Sequence, residues 1–261
     1  MLTSFGNAYA YLFGWPALAK INKGIFYMAA RGLGLHNYGS PRISGETLAI
    51  RNGLLGCSAA PIVFDVGANR GEWLSMVLGI RADSKVHAFE PQSSLAKNIS
   101  DFGLDISVNN CALGDKPGVL QLYDYMDHPG SEHASLIPGV IDGIHNGTPR
   151  VTNVEVRTVD DYCQATDIQR IDLLKIDVEG YELNVLRGAQ RMLSERRVGT
   201  IQFEFNEMNI AGHNFMADFE RILKPTHQLH RILPHGLLRL RENSQWWNEQ
   251  FIYQNIIALP K

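Results

Sequence analysis

Short apolar runs alternate with helical patterns along most of the chain. From residue 61 onward, the apolar runs predict seven strands, near residues 62–66, 85–89, 105–110, 171–177, 199–205, 227–233 and 251–259. The segments between them carry apolar positions at helical spacing and predict helices. This alternation is typical of one mostly parallel sheet with helices on both faces. We therefore predict an α/β fold built on a seven-stranded sheet.

A second pattern interrupts this alternation. Residues 117–124 and 151–158 predict an additional antiparallel strand pair. The stretch between them is rich in glycine, proline, serine and histidine, and a loop of that length inside a compact domain is usually functional or mobile. We expect this β-hairpin and loop insertion to lie over the carboxyl ends of the parallel strands.

The first 60 residues follow neither pattern. The apolar stretch 8–19 is broken by glycine and proline and is too short to span a bilayer. Residues 20–34 then predict an amphipathic helix, with apolar positions at Ile21, Ile25, Met28 and Ala29. We expect this helix to lean on the core or to cap the substrate side, and peripheral membrane contact is the weaker alternative. The predicted organisation is an N-terminal helical extension, 1–60, and a main domain, 61–261.

Composition narrows the function classes. The formal net charge is −3, so the chain lacks the basic footprint that nucleic-acid binding requires. The three cysteines are odd in number and far apart, without the spacing of a zinc or redox motif. We therefore predict a reduced, cytoplasmic setting and no nucleic-acid partner.

The most informative motif follows the first predicted strand. Asp65, Gly67, Asn69 and Gly71 form a glycine-punctuated turn that leads into a helix. Backbone N–H groups at such a turn favour an anionic group of a ligand. The spacing lacks the GxGxxG pattern of dinucleotide sites, which argues against a nicotinamide cofactor.

Acidic residues also end other predicted strands. Glu90 follows the second strand, just before Pro91, where a carboxylate can accept the two hydroxyls of a ribose. Asp177 and Glu179 follow the strand at 171–177, and we expect both carboxylates at the same edge of the sheet.

Five segments in this order resemble the FkbM-type family of S-adenosylmethionine (SAM) dependent methyltransferases: DVGANRG, AFEP, NCALGD, KIDVEGYELNVLRGA and IQFEFNE. The resemblance covers about residues 60–210. It implies a Rossmann-like class I methyltransferase fold with SAM as cofactor. It also implies that the glycine turn holds the methionine part of SAM, that Glu90 binds its ribose, and that the adenine contacts Asn110, Cys111 and Ala112. Ala68, Pro91 and Asp177 complete the predicted cofactor site.

Methyl transfer to an alcohol requires alignment of the oxygen with the methyl group and removal of a proton. One option is a protein base, His133, on the long loop. The other is a divalent cation such as Mg²⁺, held by oxygen ligands from Asp177 with Glu204 or Asn206. Glu179 either caps the following helix or touches the acceptor. Further candidates to orient or stack on the acceptor are Ser131, Ser135 and Tyr181.

The sequence therefore predicts a SAM-dependent O-methyltransferase that acts on a hydroxyl of a sugar, glycan precursor or other natural product. The alternatives are a nicotinamide-dependent oxidoreductase and a non-catalytic SAM-binding module. The sequence leaves open which small molecule or glycan is the acceptor, and the oligomeric state is unknown.

Overall fold

The computed structural model describes residues 2–57, 59–102, 106–241 and 244–261. Its strands, numbered along the chain, are β1 Ile62–Val66, β2 Lys85–Phe89, β3 Ile106–Asn109, β4 Ala112–Leu113, β5 Gly118–Tyr125, β6 Pro149–Arg157, β7 Ile171–Ile176, β8 Val198–Phe205, β9 His227–Leu233, β10 Gly236–Arg239 and β11 Gln254–Pro260.

The α-helices are α1 Leu2–Phe13, α2 Ala19–Gly32, α3 Pro41–Ser44, α4 Glu46–Leu54, α5 Glu72–Ile80, α6 Ser93–Ser100, α7 Val159–Ala165, α8 Glu182–Arg187, α9 Gln190–Ser194, α10 Met208–Ala211, α11 Met216–Leu223 and α12 Gln245–Asn248. A 3₁₀ turn at Pro16–Leu18 joins α1 to α2, and a π-helical turn lies at Val140–Ile144.

The main sheet has eight strands in the order β10-β9-β11-β8-β7-β1-β2-β3. The strands from β8 to β3 pair in parallel, whereas β11, β9 and β10 pair antiparallel at the other side. The predicted α/β class is confirmed. The count of seven strands is too low, because β10 is only partly buried and its four residues are too few to show a clear period. Residue 105, where the third strand was expected to start, lies outside the described residues.

The predicted insertion is also present. β5 and β6 pair antiparallel from Gly118 to Tyr125, and the two-residue strand β4 joins β6 to complete a separate three-stranded sheet. β4 was not predicted, because two residues are too short to show a period.

Alternation along β1 divides the core between the two faces of the main sheet. Val63 packs with Leu74, Val77 and other residues on one face. Phe64 packs on the opposite face, in the larger cluster that includes Tyr162 and Leu183. Both faces are therefore closed by helices, as expected for a largely parallel sheet.

The N-terminal segment makes two kinds of contact. Ile50 and Leu54 of α4 are buried against β1 and β7, so this helix belongs to the core of the main sheet. The four apolar positions expected to lean on the core from α2 are exposed instead, and Ala30 is the buried residue of this helix. The expectation that the helix leans on the core was therefore wrong, since a helical period shows that an apolar face exists and not what covers it. The alternative, that it caps the substrate side, stays a prediction. The domain boundary at residue 60 stays a prediction, and residues 1 and 58 lie outside the described residues.

No helix within the described ranges combines the length and the apolar character needed to cross a membrane.

Candidate functional site

A cavity of about 810 Å³ opens at the carboxyl ends of β1, β2, β7 and β8. Loop residues after α2 and residues of the long β5–β6 loop form its other walls. Twelve residues predicted for the site line it: Gly67, Ala68, Asn69, Glu90, Pro91, Ala112, Ser131, His133, Asp177, Glu179, Glu204 and Asn206. Parallel strands thus bring together side chains that lie far apart in the sequence.

Six predicted residues lie outside the cavity lining: Asp65, Gly71, Asn110, Cys111, Ser135 and Tyr181. Gly71 is the left-handed residue that precedes α5. The Asn110 amide donates to the carbonyl oxygens of Glu90 (2.9 Å) and Pro91 (3.0 Å), so it positions the end of β2. Cys111 is buried in the core.

The remaining acceptor candidates are engaged elsewhere. The Tyr181 hydroxyl lies 3.3 Å from Asp115 Oδ1, away from the cavity. Ser135 is buried and donates to the carbonyl oxygen of Glu179 at 2.7 Å. Ser135 therefore fixes the backbone of a cavity residue and does not present its hydroxyl to the cavity.

The glycine turn is shaped by close approach of two strand ends. Gly67 has φ +80°, and a Cβ atom there would lie 1.8 Å from the carbonyl oxygen of Asp177. Asn69, also left-handed at φ 47°, donates its backbone N–H to Glu90 Oε2 at 2.9 Å. The turn after β1 therefore packs directly against the end of β7, because Gly67 has no side chain, and it is hydrogen-bonded to Glu90 at the end of β2.

Glu90 is the most distinctive carboxyl group of the site. It is 3% exposed, and its second oxygen accepts the backbone N–H of Gln92 at 2.8 Å. Burial raises the pKa of Glu90 to about 7, although these two backbone hydrogen bonds oppose the shift. Each carboxylate oxygen retains a lone pair, so the group can accept two hydroxyl hydrogens from a ligand in the cavity.

A buried ion cluster lies beside the turn. The Lys175 ammonium is 3.1 Å from Asp65 Oδ1 and 3.3 Å from Asp177 Oδ2. Burial alone would lower the pKa of Lys175, but the carboxylates of Asp65 and Asp177 outweigh it and raise the pKa. Lys175 therefore stays charged, and it holds Asp177 at the cavity wall.

The geometry does not support the predicted divalent-cation site. Asp177 pairs with Lys175, and Glu204 accepts the Tyr253 hydroxyl at 2.8 Å. Burial and the nearby Asp177 raise the pKa of Glu204 well above its ordinary value, which favours a neutral carboxyl group. Among the residues that the structure describes, no group of three or more His, Cys, Asp or Glu side chains is arranged to hold a metal ion.

His133 and Glu179 meet in the cavity although they are 46 residues apart. His133 Nδ1 lies 3.5 Å from Glu179 Oε1. The imidazole also stacks on His145, with ring centroids 4.3 Å apart. The nearby Glu179 carboxylate raises the pKa of His133, against the opposing effect of burial. This arrangement orients one ring nitrogen toward a carboxylate.

Glu179 does not cap the following helix, contrary to one of the two sequence-based interpretations. The carboxylate of Glu182 instead accepts the backbone N–H groups of Val178 and Gly180, both at 3.1 Å. Glu179 has a left-handed backbone (φ 52°) that turns its side chain toward His133.

Several cavity residues escaped the sequence-based prediction. Glu46 begins α4, Trp73 lies in α5, and Tyr253 precedes β11. Glu46 and Tyr253 lie far along the chain from the recognisable motifs, and a glutamate in a first helical turn or a tyrosine before a strand has ordinary structural uses. Only the fold brings them to the cavity.

The chain is similar to known methyltransferases. The family model described as "Methyltransferase FkbM domain" matches residues 65–229. The chain is 24% identical over 159 residues to "2-O-methyltransferase NoeI" of Sinorhizobium fredii. This match covers 57% of this chain and 65% of that protein. The chain is 27% identical over 157 residues to "Methyltransferase sdnD" of Sordaria araneosa. This match covers 49% of this chain and 60% of that protein. The chain thus spans less than two thirds of the length of these curated relatives.

Among solved structures, the chain is similar to the plantazolicin methyltransferase BpumL in complex with SAH. The TM-score is 0.46 at 10% sequence identity, and the match covers 97% of this chain and 94% of that one.

Proposed function

We propose, from the premise that the chain belongs to the FkbM methyltransferase domain family, that it transfers a methyl group from SAM to a hydroxyl of a sugar, glycan precursor or other natural product. The observation that carries this proposal is the placement of the His133–Glu179 pair in the same cavity as the glycine turn and Glu90. One wall suits a nucleoside cofactor, and another offers a base. The relative named a 2-O-methyltransferase supports the choice of oxygen as acceptor atom.

The donor side of the cavity fits SAM. SAM supplies an electrophilic methyl group on a positively charged sulfonium. Glu90 is placed to accept ribose hydroxyls, and Gly67, which has no side chain, lets the turn after β1 lie directly against the end of β7 at the cavity wall. Even without the four carboxyl groups whose pKa is raised by burial, the cavity lining has four carboxylates against the cations of Arg70 and Lys175, which suits a cofactor with net positive charge: Glu72, Glu132, Asp177 and Glu207.

The acceptor side has a base and a group that orients it. Because Nδ1 of His133 faces Glu179, its Nε2 is the nitrogen left to take the proton of an acceptor hydroxyl. Glu179 then stabilises the imidazolium that forms. An alcohol is a poor nucleophile while it keeps its proton, so removal of that proton as the oxygen attacks speeds transfer.

The proposed activity is tested first through its cofactor. Calorimetric titration of the full chain with S-adenosylhomocysteine (SAH) should show binding, whereas NAD should show none. Mass spectrometry of sugar and natural-product hydroxyl compounds, incubated with methyl-labelled SAM, should then show the gain of one labelled methyl group. Binding of NAD without binding of SAH would overturn the proposal.

Affinity for SAH should depend on pH through Glu90. The carboxylate accepts hydroxyl hydrogens better than the protonated acid does, and burial places its pKa at about 7. The dissociation constant should therefore rise about tenfold between about pH 8 and about pH 6. Calorimetry at both pH values measures it.

Two variants test whether the pH dependence of SAH binding comes from Glu90 or from another ionisable group. Glu90→Gln should weaken SAH binding about tenfold at pH 8 and flatten the pH dependence, because it removes charged hydrogen bonds. Glu132→Gln, at an exposed carboxylate of the cavity rim, should behave like the unmodified chain. An unmodified chain whose affinity does not change with pH would contradict the role of Glu90.

A further inference from the structure

Exposed apolar side chains are concentrated in α1, α2 and their connection. Of the 22 large hydrophobic residues that are exposed in the described part of the chain, eleven lie between residues 5 and 28. Trp15 is 65% exposed, Tyr11 86% and Met28 66%. Single exposed apolar residues are normal, but a concentration of this size marks an interaction surface.

The two helices contact each other through polar groups. The Tyr9 hydroxyl donates to Asn22 Oδ1 at 2.7 Å, and the Asn22 amide donates to the carbonyl oxygen of Phe13 at 2.9 Å. We call residues 2–32 the N-terminal helix pair. The large apolar side chains of this pair are exposed, and the buried residue of α2 is the small Ala30.

α2 separates apolar from cationic side chains. Ile21, Ile25 and Met28 follow at intervals of four and three residues and share one face. At about 100° per residue, Lys23 lies nearly opposite this face, whereas Lys20 and Arg31 lie about 90° to 110° from its centre, at its edges. A helix with an apolar face and a basic polar face is typical of segments that lie in a membrane interface.

The charge of this region points to an anionic occupant. Residues 1–45 contain four basic residues and no aspartate or glutamate, although the whole chain has a net charge of −3. A second copy of the same surface would bring basic groups together. The aromatic side chains in this segment, Trp15 among them, are of the kind that concentrates at membrane interfaces.

We propose that the N-terminal helix pair docks on the surface of an anionic lipid bilayer. The apolar face of α2 enters the boundary between head groups and acyl chains. Lys20, at the edge of that face, contacts lipid phosphates, and Lys23, on the far side, adds to the electrostatic attraction toward the anionic surface. The chain continues from α2 into His36, Tyr38 and Ser40, which line the cavity at the carboxyl ends of the parallel strands. Docking would therefore bring one wall of the cavity close to the membrane.

Vesicle flotation of the full chain tests this proposal. The probes are phosphatidylcholine vesicles and phosphatidylcholine vesicles with about one third phosphatidylglycerol. The apolar variant is I21S/I25S/M28S, and the charge variant is K20E/K23E. The matched control is V119S/L120S/V151S, which changes three exposed apolar residues on the insertion. Far-UV circular dichroism on heating checks that each variant is folded.

The unmodified chain and the control should float with anionic vesicles. The apolar variant should lower the partition coefficient about tenfold or more, since it removes the side chains that enter the bilayer. The charge variant should lower binding to anionic vesicles about tenfold or more and leave binding to neutral vesicles unchanged.

Two results would overturn the proposal. One is the absence of flotation of the unmodified chain at low ionic strength. The other is a sedimentation experiment in which the unmodified chain is a dimer and I21S/I25S/M28S is a monomer, while neither protein binds vesicles. That result would assign the surface to self-association. Neither measurement requires methyl transfer, so the outcome does not depend on the proposed activity.

Discussion

Replacement of Lys175 by methionine is expected to lower the free energy of unfolding by about 3 to 5 kcal/mol. Asp65 is fully buried on β1, and its Oδ1 is paired with the Lys175 ammonium at 3.1 Å. Removal of the cation leaves a buried carboxylate with no compensating charge, whereas the methionine side chain fills much of the same space. Urea denaturation of the two proteins measures the difference.

Two further variants isolate the electrostatic cause. Lys85→Met, at an exposed position of the neighbouring strand β2, should change the free energy of unfolding by less than about 0.5 kcal/mol. The double variant Asp65→Asn/Lys175→Met should recover at least half of the loss, because neither charge remains. If Lys175→Met were as stable as Lys85→Met, the ion pair would not be a structural requirement.

Lys175 also shows what a sequence can and cannot predict about this fold. The apolar run around it predicts β7 almost to the residue, because a strand buried on both faces has a nearly continuous apolar sequence. The charge partner of Lys175, in contrast, cannot be predicted from the sequence around it. Asp65 precedes it by 110 residues, and only the parallel register of β1 and β7 places Asp65 opposite Lys175.

The same distinction holds at the cavity. Strand ends are readable from the sequence, so Gly67, Glu90 and Asp177 were placed correctly at one edge of the sheet. Side-chain direction beyond a strand end depends on the local backbone. Glu179 reaches the cavity through a left-handed turn, while Tyr181, two residues later, points to Asp115.

Contacts made by exposed or irregular segments were the least predictable. The amphipathic period of α2 is real, but its apolar face is exposed. In contrast, α4 has a less distinctive pattern and packs directly on the sheet. A period reports the chemistry of one element, whereas burial depends on the whole set of elements that surround it.

The largest expected effect on activity is at His133. His133→Ala should lower kcat by about 10²- to 10⁴-fold, the contribution usual for a general base, while the affinity for SAH stays unchanged. The reason is that His133 lies on the long loop and pairs with Glu179, outside the glycine turn and Glu90. Initial rates with labelled SAM and calorimetry with SAH provide the two readouts. His128→Ala, at an exposed position of the same loop, is the matched control and should keep full activity.

The pH profile distinguishes a base from a residue that only supports the loop. Neutral imidazole is the active form, and Glu179 raises the pKa of His133, so kcat should fall with decreasing pH through an inflection above the ordinary histidine value. Glu179→Gln should lower kcat and move that inflection to lower pH, because the anion that stabilises the imidazolium is gone. A structural role would lower kcat without moving the inflection. An unchanged profile in Glu179→Gln, or full activity in His133→Ala, would exclude this pair as the base and its partner.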